Sequence, residues 1–301
     1  IDTPESALDA AVKDCGFVLH FAGVNRPKDA AEFMSGNFGF TTRLLQKLEA
    51  AGNKAPILIT SSIQAALDNP YGKSKKAAED YIFEYAERTG AEAFVYRLPN
   101  VFGKWCRPNY NSAIATFCNN VARGLPITVN DPNVNMHVVY IDDLADEIVR
   151  ALKGSPTRGD GVEIGEKFCM VPITHRAKLG EIADTIKSFA ESRKTIEIPD
   201  MTCGSLAAKI YSTYLSYLPE DGFDYPLNMH IDDRGSFTEF IRTADRGQVS
   251  VNITKPGITK GNHWHHSKNE KYLVVKGKAS IRFRKVGESK VIEYITDGEN
   301  L

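Results

Sequence analysis

From Phe17 to about residue 200, short runs of β-branched, aromatic and aliphatic residues alternate with longer amphipathic stretches, the pattern of a parallel sheet joined by crossover helices. Phe17-Val18-Leu19-His20-Phe21 predicts a buried strand, Lys28 to Ala51 a helix, and Pro56-Ile57-Leu58-Ile59-Thr60 the next strand. Asp68-Asn69-Pro70 sets a capping side chain before a proline, whose missing N–H costs nothing at a helix's first position, so a helix should open near Tyr71. Phe94-Val95-Tyr96-Arg97 and Val138-Val139-Tyr140-Ile141 predict two further strands, with helices from Ile114 to Arg123 and from Asp142 to Leu152. In the last of these, Leu144, Ile148 and Leu152 are expected to form the inward stripe.

Past residue 220 the repeat shortens to two. Val249-Ser250-Val251-Asn252-Ile253 and Ala279-Ser280-Ile281-Arg282-Phe283-Arg284 put apolar residues on one face and polar ones on the other, and glycine-bearing turns replace the amphipathic stretches. This is an antiparallel β signature. The boundary falls between Pro219 and Tyr225, giving expected domains at 1–222 and 223–301. No internal repeat or low-complexity tract interrupts either one.

Length agrees with that division, since 301 residues at roughly 150 per domain make two. Thirty-seven Lys and Arg against 38 Asp and Glu leave a net charge of −1, which gives no basic field for nucleic acid or an anionic membrane. No apolar run approaches the ~18 residues of a membrane span, and Ile1-Asp2-Thr3-Pro4-Glu5 does not have the form of a signal peptide. Five scattered cysteines without a CxxC pair argue against a disulfide framework or a cysteine-rich zinc site, and fit a soluble protein in a reducing cytoplasm. Because the chain opens on Ile1 without Met, it is expected to have been processed or to have lost its beginning.

Two constellations carry chemistry. In Tyr71-Gly72-Lys73-Ser74-Lys75, a phenol and an ammonium stand at i and i+4 on one helix face. A nearby cation favours phenolate and should lower the tyrosine pKa from about 10 towards working pH, making Tyr71 a general acid for an alkoxide formed by hydride addition. Ser62, or alternatively Ser61, at the end of the preceding strand can hydrogen-bond the same substrate oxygen.

These residues, with His20-Phe21-Ala22-Gly23, Arg97-Leu98-Pro99-Asn100-Val101-Phe102-Gly103 and Tyr140-Ile141-Asp142-Asp143, resemble in order and spacing the extended short-chain dehydrogenase/reductases that act on nucleotide sugars. The resemblance implies a Rossmann-type doubly wound sheet. It also implies a nicotinamide cofactor bound by His20, Ala22, Gly23, Val24, Ser61, Tyr71, Lys75, Pro99, Asn100 and Val101. Sugar or diphosphate contacts would come from Asn25, Arg26, Asn100 and, in the second domain, Arg234. The family's glycine-rich phosphate turn and its ribose-reading residue would precede Ile1, so NADP(H) is expected from family likeness and NAD stays open. Asn135-Met136-His137 stand where many members carry a basic residue.

The second constellation is Gly257-(five residues)-His263-Trp264-His265-(four residues)-Glu270-(six residues)-Gly277. On a strand, residues two apart share a side, so His263 and His265 converge while His266 points away, and Glu270 on a paired strand would complete three ligands for a divalent ion. The spacing resembles the first cupin motif at every anchor, which implies an all-β jelly roll binding a metal, zinc by family likeness. The cupin's second motif is not found before Leu301, so this domain is expected to lack its C-terminal part, as the first lacks its N-terminal strand and helix.

Asp232-Asp233-Arg234-Gly235-Ser236-Phe237-Thr238-Glu239-Phe240 resembles a segment of the nucleotide-deoxysugar 3,5-epimerases, cupins that act on 4-ketosugars. That chemistry needs a base beside the carbon and positive charge beside the ketone oxygen. Lys260, His263, His265 and the metal are the available groups, and the sequence leaves the base among them open.

The pairing of the two parts is similar to one family, the bifunctional capsular and O-antigen polysaccharide enzymes of the UDP-N-acetyl-L-fucosamine pathway. The likeness implies a homodimer whose cupin epimerises C3 of a UDP-2-acetamido-2,6-dideoxy-4-hexulose. The reductase would then reduce C4 with NADPH to a UDP-2-acetamido-2,6-dideoxy-L-talose. Two rival expectations are a 4-ketosugar reductase whose metal-bound cupin only holds the fold and the dimer together, and a non-enzymatic regulator that binds cofactor and sugar.

Overall fold

In the computed structural model, residues 4–299 are described; Ile1, Asp2, Thr3, Asn300 and Leu301, on which the expectations about the chain ends bear, lie outside them. Helix α1 (Glu5–Asp14) leads to β1 (Val18–His20), which pairs in parallel with β2 (Ile57–Ser62) at Val18↔Ile57. The helix expected from Lys28 to Ala51 starts later and is interrupted: α2 (Ala31–Phe33) runs into a π-helical turn (Met34–Gly39) and then α3 (Phe40–Ala50). The π turn has a local cause. It brings Asn37 inward and Gly36 against Val24, where a Cβ would meet Val24 Cγ2 at 2.3 Å. Single π turns inside α-helices are often found at functional sites.

Helix α4 (Pro70–Thr89) opens where Asn69-Pro70 predicted, with the Asn69 side chain accepting from the Gly72 N–H at 2.7 Å. After β3 (Ala93–Leu98), parallel to β2, the chain forms β4 (Asn100–Phe102), α5 (Ala113–Ala122), β5 (Asn135–Tyr140), α6 (Ile141–Leu152), β6 (His175–Lys178), α7 (Leu179–Thr195) and α8 (Leu206–Leu215). The sheet orders are β1-β2-β3 and β4-β5-β6, with β4 parallel and β6 antiparallel to β5.

Both faces of β2 are buried, as continuous apolar runs in parallel sheets require: Ile57 and Ile59 pack with Leu45, Leu48, Ile82 and Tyr85, while Leu58 packs with Phe94, Tyr96 and Val139. A third cluster joins Phe102, Ile114 and Val138 to Ile182, Phe189 and Tyr214. The stripe expected on α6 is corrected. Leu144 is buried, but Leu152 is 44% exposed, because eight residues carry it about 80° around the axis. The inward positions are taken by Ala151 and Glu147, whose buried carboxylate accepts from the Tyr96 hydroxyl at 2.8 Å and from the Thr157 N–H and hydroxyl at 2.6 and 2.8 Å.

The chain divides into two compact units, the first running to Asp232 and taking in Ser236–Ile253, the second comprising Asp233–Gly235 and the chain from Thr254. Strands β7 (Met229–Asp232), β8 (Gly235–Thr243) and β9 (Gly247–Thr254) form one sheet, and β10 (Lys278–Arg284) pairs antiparallel with β11 (Val291–Asp297). The alternation predicted for β9 holds, yet Val249, Val251 and Ile253 are 49, 52 and 60% exposed, so the described residues leave that apolar face uncovered. Among the described residues no helix is long and apolar enough to cross a membrane.

Candidate active site

Three consecutive residues at the end of β2 each meet one turn of α4. The Thr60 carbonyl accepts from Lys75 Nζ at 3.0 Å, the Ser61 hydroxyl donates to Glu79 Oε1 at 2.5 Å, and the Ser62 hydroxyl hydrogen-bonds the Tyr71 phenol. Neighbouring strand side chains point to opposite faces, and that alternation separates the two serines. Ser62 stands with Tyr71. Ser61 is buried and its hydroxyl is committed to Glu79, which leaves Ser62 as the strand-end hydroxyl beside Tyr71.

The expected effect of Lys75 on Tyr71 is corrected as well. Burial pushes the phenol above its ordinary value, and the Ser62 hydrogen bond pulls it only partly back. Lys75 Nζ lies 6.0 Å from the Tyr71 ring centroid and faces Thr60, while burial lowers its own pKa against the opposing field of Glu79. The result is a phenol that holds its proton at neutral pH, which suits a proton donor.

Behind this pair, Glu79 is fully buried and also takes Arg97, with Nη2 at 2.7 Å from Oε2. Arg97 sits across the β2–β3 register from Ser61 and lays its guanidinium 3.9 Å from the Phe168 ring centroid. Replacing Glu79 by Ala strands that guanidinium, whose side chain is only 20% exposed, and should cost about 3–5 kcal/mol. Urea denaturation measures the loss; Arg97→Met together with Glu79→Met should recover most of it.

The segment after β1 closes over the same helix. Asn37 Oδ1 accepts from the Val24 N–H at 2.7 Å, and Asn37 Nδ2 donates to the Val24 carbonyl and, at 2.9 Å, to Ser74 Oγ. A Cβ at Gly23 would come 3.0 Å from Asn37 Oδ1 and 3.4 Å from Lys75 Nζ, so the backbone at Ala22-Gly23-Val24 passes closely over the lysine. Phe33 packs edge-on to Tyr71 with ring centroids 5.5 Å apart. Asn37 escaped the sequence analysis. Its only signal there is a polar residue between two glycines in a helix that should have been amphipathic.

His20 is buried, with Nε2 at 2.8 Å from Thr41 Oγ1, which itself donates to the Asn37 carbonyl. That oxygen must therefore accept from His20, which puts the imidazole proton on Nε2. Burial, and then the charge of Lys75, lower the His20 pKa to about 4, so the ring is neutral at pH 7 and ties β1 to α3 through Thr41. The sign of the linkage follows. Between about 4 and the unfolded value near 6.5 the unfolded chain binds a proton that the folded chain refuses, so stability falls as pH drops through that window, by about 3 kcal/mol in all. Urea midpoints for the wild type and His20→Gln at a series of pH values should converge as pH falls from 7 to 4.

The remaining first-unit candidates are held by contacts other than those of Ser62, Tyr71 and Lys75. Pro99 and Val101 flank Asn100, whose Nδ2 donates to the His137 carbonyl at 3.3 Å across to β5. Asn25 and Arg26 are exposed, and the Arg26 guanidinium lies 6.0 Å from the Tyr110 ring centroid.

In the second unit, ligand atoms of His263, His265 and Glu270 lie within 4.8 Å of one another. The expected strands are not there: all three residues occupy an irregular segment between β9 and β10, entered through Gly261 at φ +108° and Asn262 at φ +58°. The same-side pairing nevertheless holds, with ring centroids of His263 and His265 4.8 Å apart and those of Trp264 and His266 4.4 Å apart. Glu270 accepts from Tyr272 at 2.5 Å and pairs with Lys268 at 2.7 Å, and these two neighbours hold its carboxyl down to about 2. Two imidazoles and an ionised carboxylate are a donor set that zinc, iron, manganese or nickel accepts. Lys260 belongs to the same irregular segment, and Arg234 to the turn between β7 and β8.

Residues 2–165 match the NAD dependent epimerase/dehydratase family, and residues 230–301 match the polysaccharide biosynthesis C-terminal domain. The chain is 42% identical over 292 residues, 97% of its length and 76% of the relative's, to the UDP-2-acetamido-2,6-beta-L-arabino-hexul-4-ose reductase of Pseudomonas aeruginosa. Among solved structures it resembles the capsular polysaccharide assembling protein CapF of Staphylococcus aureus, with 51% identity, a TM-score of 0.89, and coverage of 99% of this chain and 79% of that one. The UDP-glucose 4-epimerase of Thermotoga maritima, at 17% identity and a TM-score of 0.56 over 71% of this chain and 81% of that one, shares the fold.

Proposed function

Because the chain belongs to the NAD dependent epimerase/dehydratase family and sets a Ser62–Tyr71–Lys75 cluster at the end of β2, we propose that its first unit reduces the C4 ketone of a UDP-linked 4-keto-6-deoxy-N-acetylhexosamine. The observation that carries this is the half-buried phenol of Tyr71, whose pKa is raised by burial, hydrogen-bonded to Ser62 and one turn from the lysine. The Pseudomonas relative's name, a reductase of a UDP-linked hexulose, supports the substrate class.

A nicotinamide cofactor, NADPH by family likeness, supplies the hydride when bound. The close passage of Gly23 over Lys75 leaves a side-chain-free edge, which supports reading this stretch as the cofactor's side of the site and Lys75 as its ribose contact. Ser62 hydrogen-bonds the substrate's ketone oxygen and Tyr71 gives that oxygen its proton. Lys75 and Ser62 then stabilise the phenolate left behind. Asn25, Arg26 and Asn100 are the proposed substrate contacts of the first unit, and Arg234 is a proposed substrate contact of the second.

The second unit is proposed to be a cupin that epimerises C3 of the same ketosugar before reduction, because only the ketone acidifies the C3 proton. His263, His265 and Glu270 would hold a divalent ion, which stabilises developing negative charge on a ketone oxygen. The base is drawn from Lys260 and the histidines of this segment. NADPH oxidation should begin on adding the UDP-4-ketosugar and stay at background with the corresponding 4-hydroxy sugar; equal rates for both would contradict the reductase assignment.

A further inference from the structure

We propose that Arg107, gathered with Arg26 on the ring of Tyr110, completes the seat of the substrate's diphosphate, to which the family likeness assigns Arg26 alone; the proposal rests on the ketosugar assignment above. Arg107 and Tyr110 belong to none of the motifs that mark the site. They lie in the segment between β4 and α5, while Arg26 lies in the segment between β1 and α2. Both segments leave the carboxyl ends of parallel-paired strands, outside which open α/β sheets bind their ligands.

The two guanidiniums come from distant parts of the chain to one exposed ring, the Arg107 ζ carbon at 5.4 Å and the Arg26 ζ carbon at 6.0 Å from the Tyr110 centroid. Among the described residues neither has a carboxylate within 4.0 Å, whereas nearby Lys104 pairs with Asp142 at 2.9 Å. Two like charges collected without a countercharge repel each other, and an anion between them turns that repulsion into attraction. Planar guanidinium forks match phosphate oxygens two at a time.

The Arg107 segment is also held in a costly conformation. Trp105 has φ +61° and its N–H donates to Ser216 Oγ at 3.3 Å; Asn109 has φ +55° and its N–H donates to Thr116 Oγ1 at 2.9 Å. A left-handed tryptophan is unfavourable by itself, and Trp105 tied to the C-cap of α8 and Asn109 tied to α5, one on each side of Arg107, fix the course of the segment. The Arg26 segment, for its part, continues to Phe33 on the Tyr71 ring. A diphosphate seated on the arginines therefore sits on the same connection that borders the catalytic phenol, as a nucleotide-linked sugar requires.

The test is calorimetric titration of the full chain, saturated with NADP+, with UDP and separately with uridine. The wild type should bind UDP far more tightly than uridine. Arg107→Ala should weaken UDP about 10- to 100-fold, leave uridine and NADP+ affinity unchanged, and recover part of the loss as Arg107→Lys. Arg26→Ala with Arg107→Ala should bring UDP down to the affinity of uridine. A correctly melting Arg107→Ala variant that binds UDP as the wild type does, or loses UDP and uridine equally, overturns the diphosphate seat. A wild type that fails to bind UDP at all overturns the ketosugar assignment and the seat with it.

Discussion

Tyr71→Phe should lower reduction of the C4 ketone by about 10²- to 10⁴-fold while leaving proton exchange at C3 at the wild-type rate. The substitution removes one oxygen. The ring remains to pack on Phe33, and among the described residues the hydrogen bond given up is the one to Ser62, so the folded state should be little affected. The site keeps its ketone hydrogen-bond donor and its lysine but has no proton to place on the forming alkoxide. NADPH oxidation under saturating ketosugar reads the first effect, and loss of the C3 proton signal in deuterated water reads the second. If both activities vanish in a variant that melts normally, the assignment of the two reactions to separate sites is wrong.

The second large effect is expected in the second unit. His265→Ala removes one of three ligand atoms that lie within 4.8 Å, leaving His263 and Glu270. Changes to residues that merely support metal ligands cost 10- to 100-fold in affinity, so loss of a ligand should cost at least as much. Purified variant should carry little divalent metal by elemental analysis and show no C3 exchange. It should still oxidise NADPH when supplied with the ketosugar already epimerised. Chelation of the wild type should reproduce the variant, and added Zn2+ should restore the wild type alone. C3 exchange at the normal rate in metal-free protein would remove the metal from the epimerisation.

Much of this site can be read directly along the chain because its elements are local. Asn69-Pro70 caps and opens α4, and four-residue spacing then sets Tyr71, Lys75 and Glu79 on successive turns of one face. The choice between Ser61 and Ser62 depended on which face of β2 meets α4, a tertiary fact supplied by Glu79. The sign of the Tyr71 shift was missed for a related reason: sequence shows that a lysine is near, but not that its ammonium turns to the Thr60 carbonyl while burial raises the phenol. Asn37 and the π turn arise from contact between a helix and the segment thirteen residues before it, which periodicity does not report. In the second unit, spacing alone brought His263, His265 and Glu270 together, although the backbone carrying them is irregular rather than stranded. The Arg26–Tyr110–Arg107 group joins two segments about eighty residues apart, and of its members only Arg26 was marked by the family likeness.

The central claim, two reactions on one ketosugar in fixed order, is tested most directly by NMR of the UDP-4-keto-6-deoxy-N-acetylhexosamine in deuterated water with the chain, first without NADPH and then with it. Deuterium should enter C3 before any NADPH is present, and the ketone should disappear once NADPH is added, giving product labelled at C3. Reduction without prior exchange, yielding product that retains hydrogen at C3, would contradict the claim and leave the second unit a structural module.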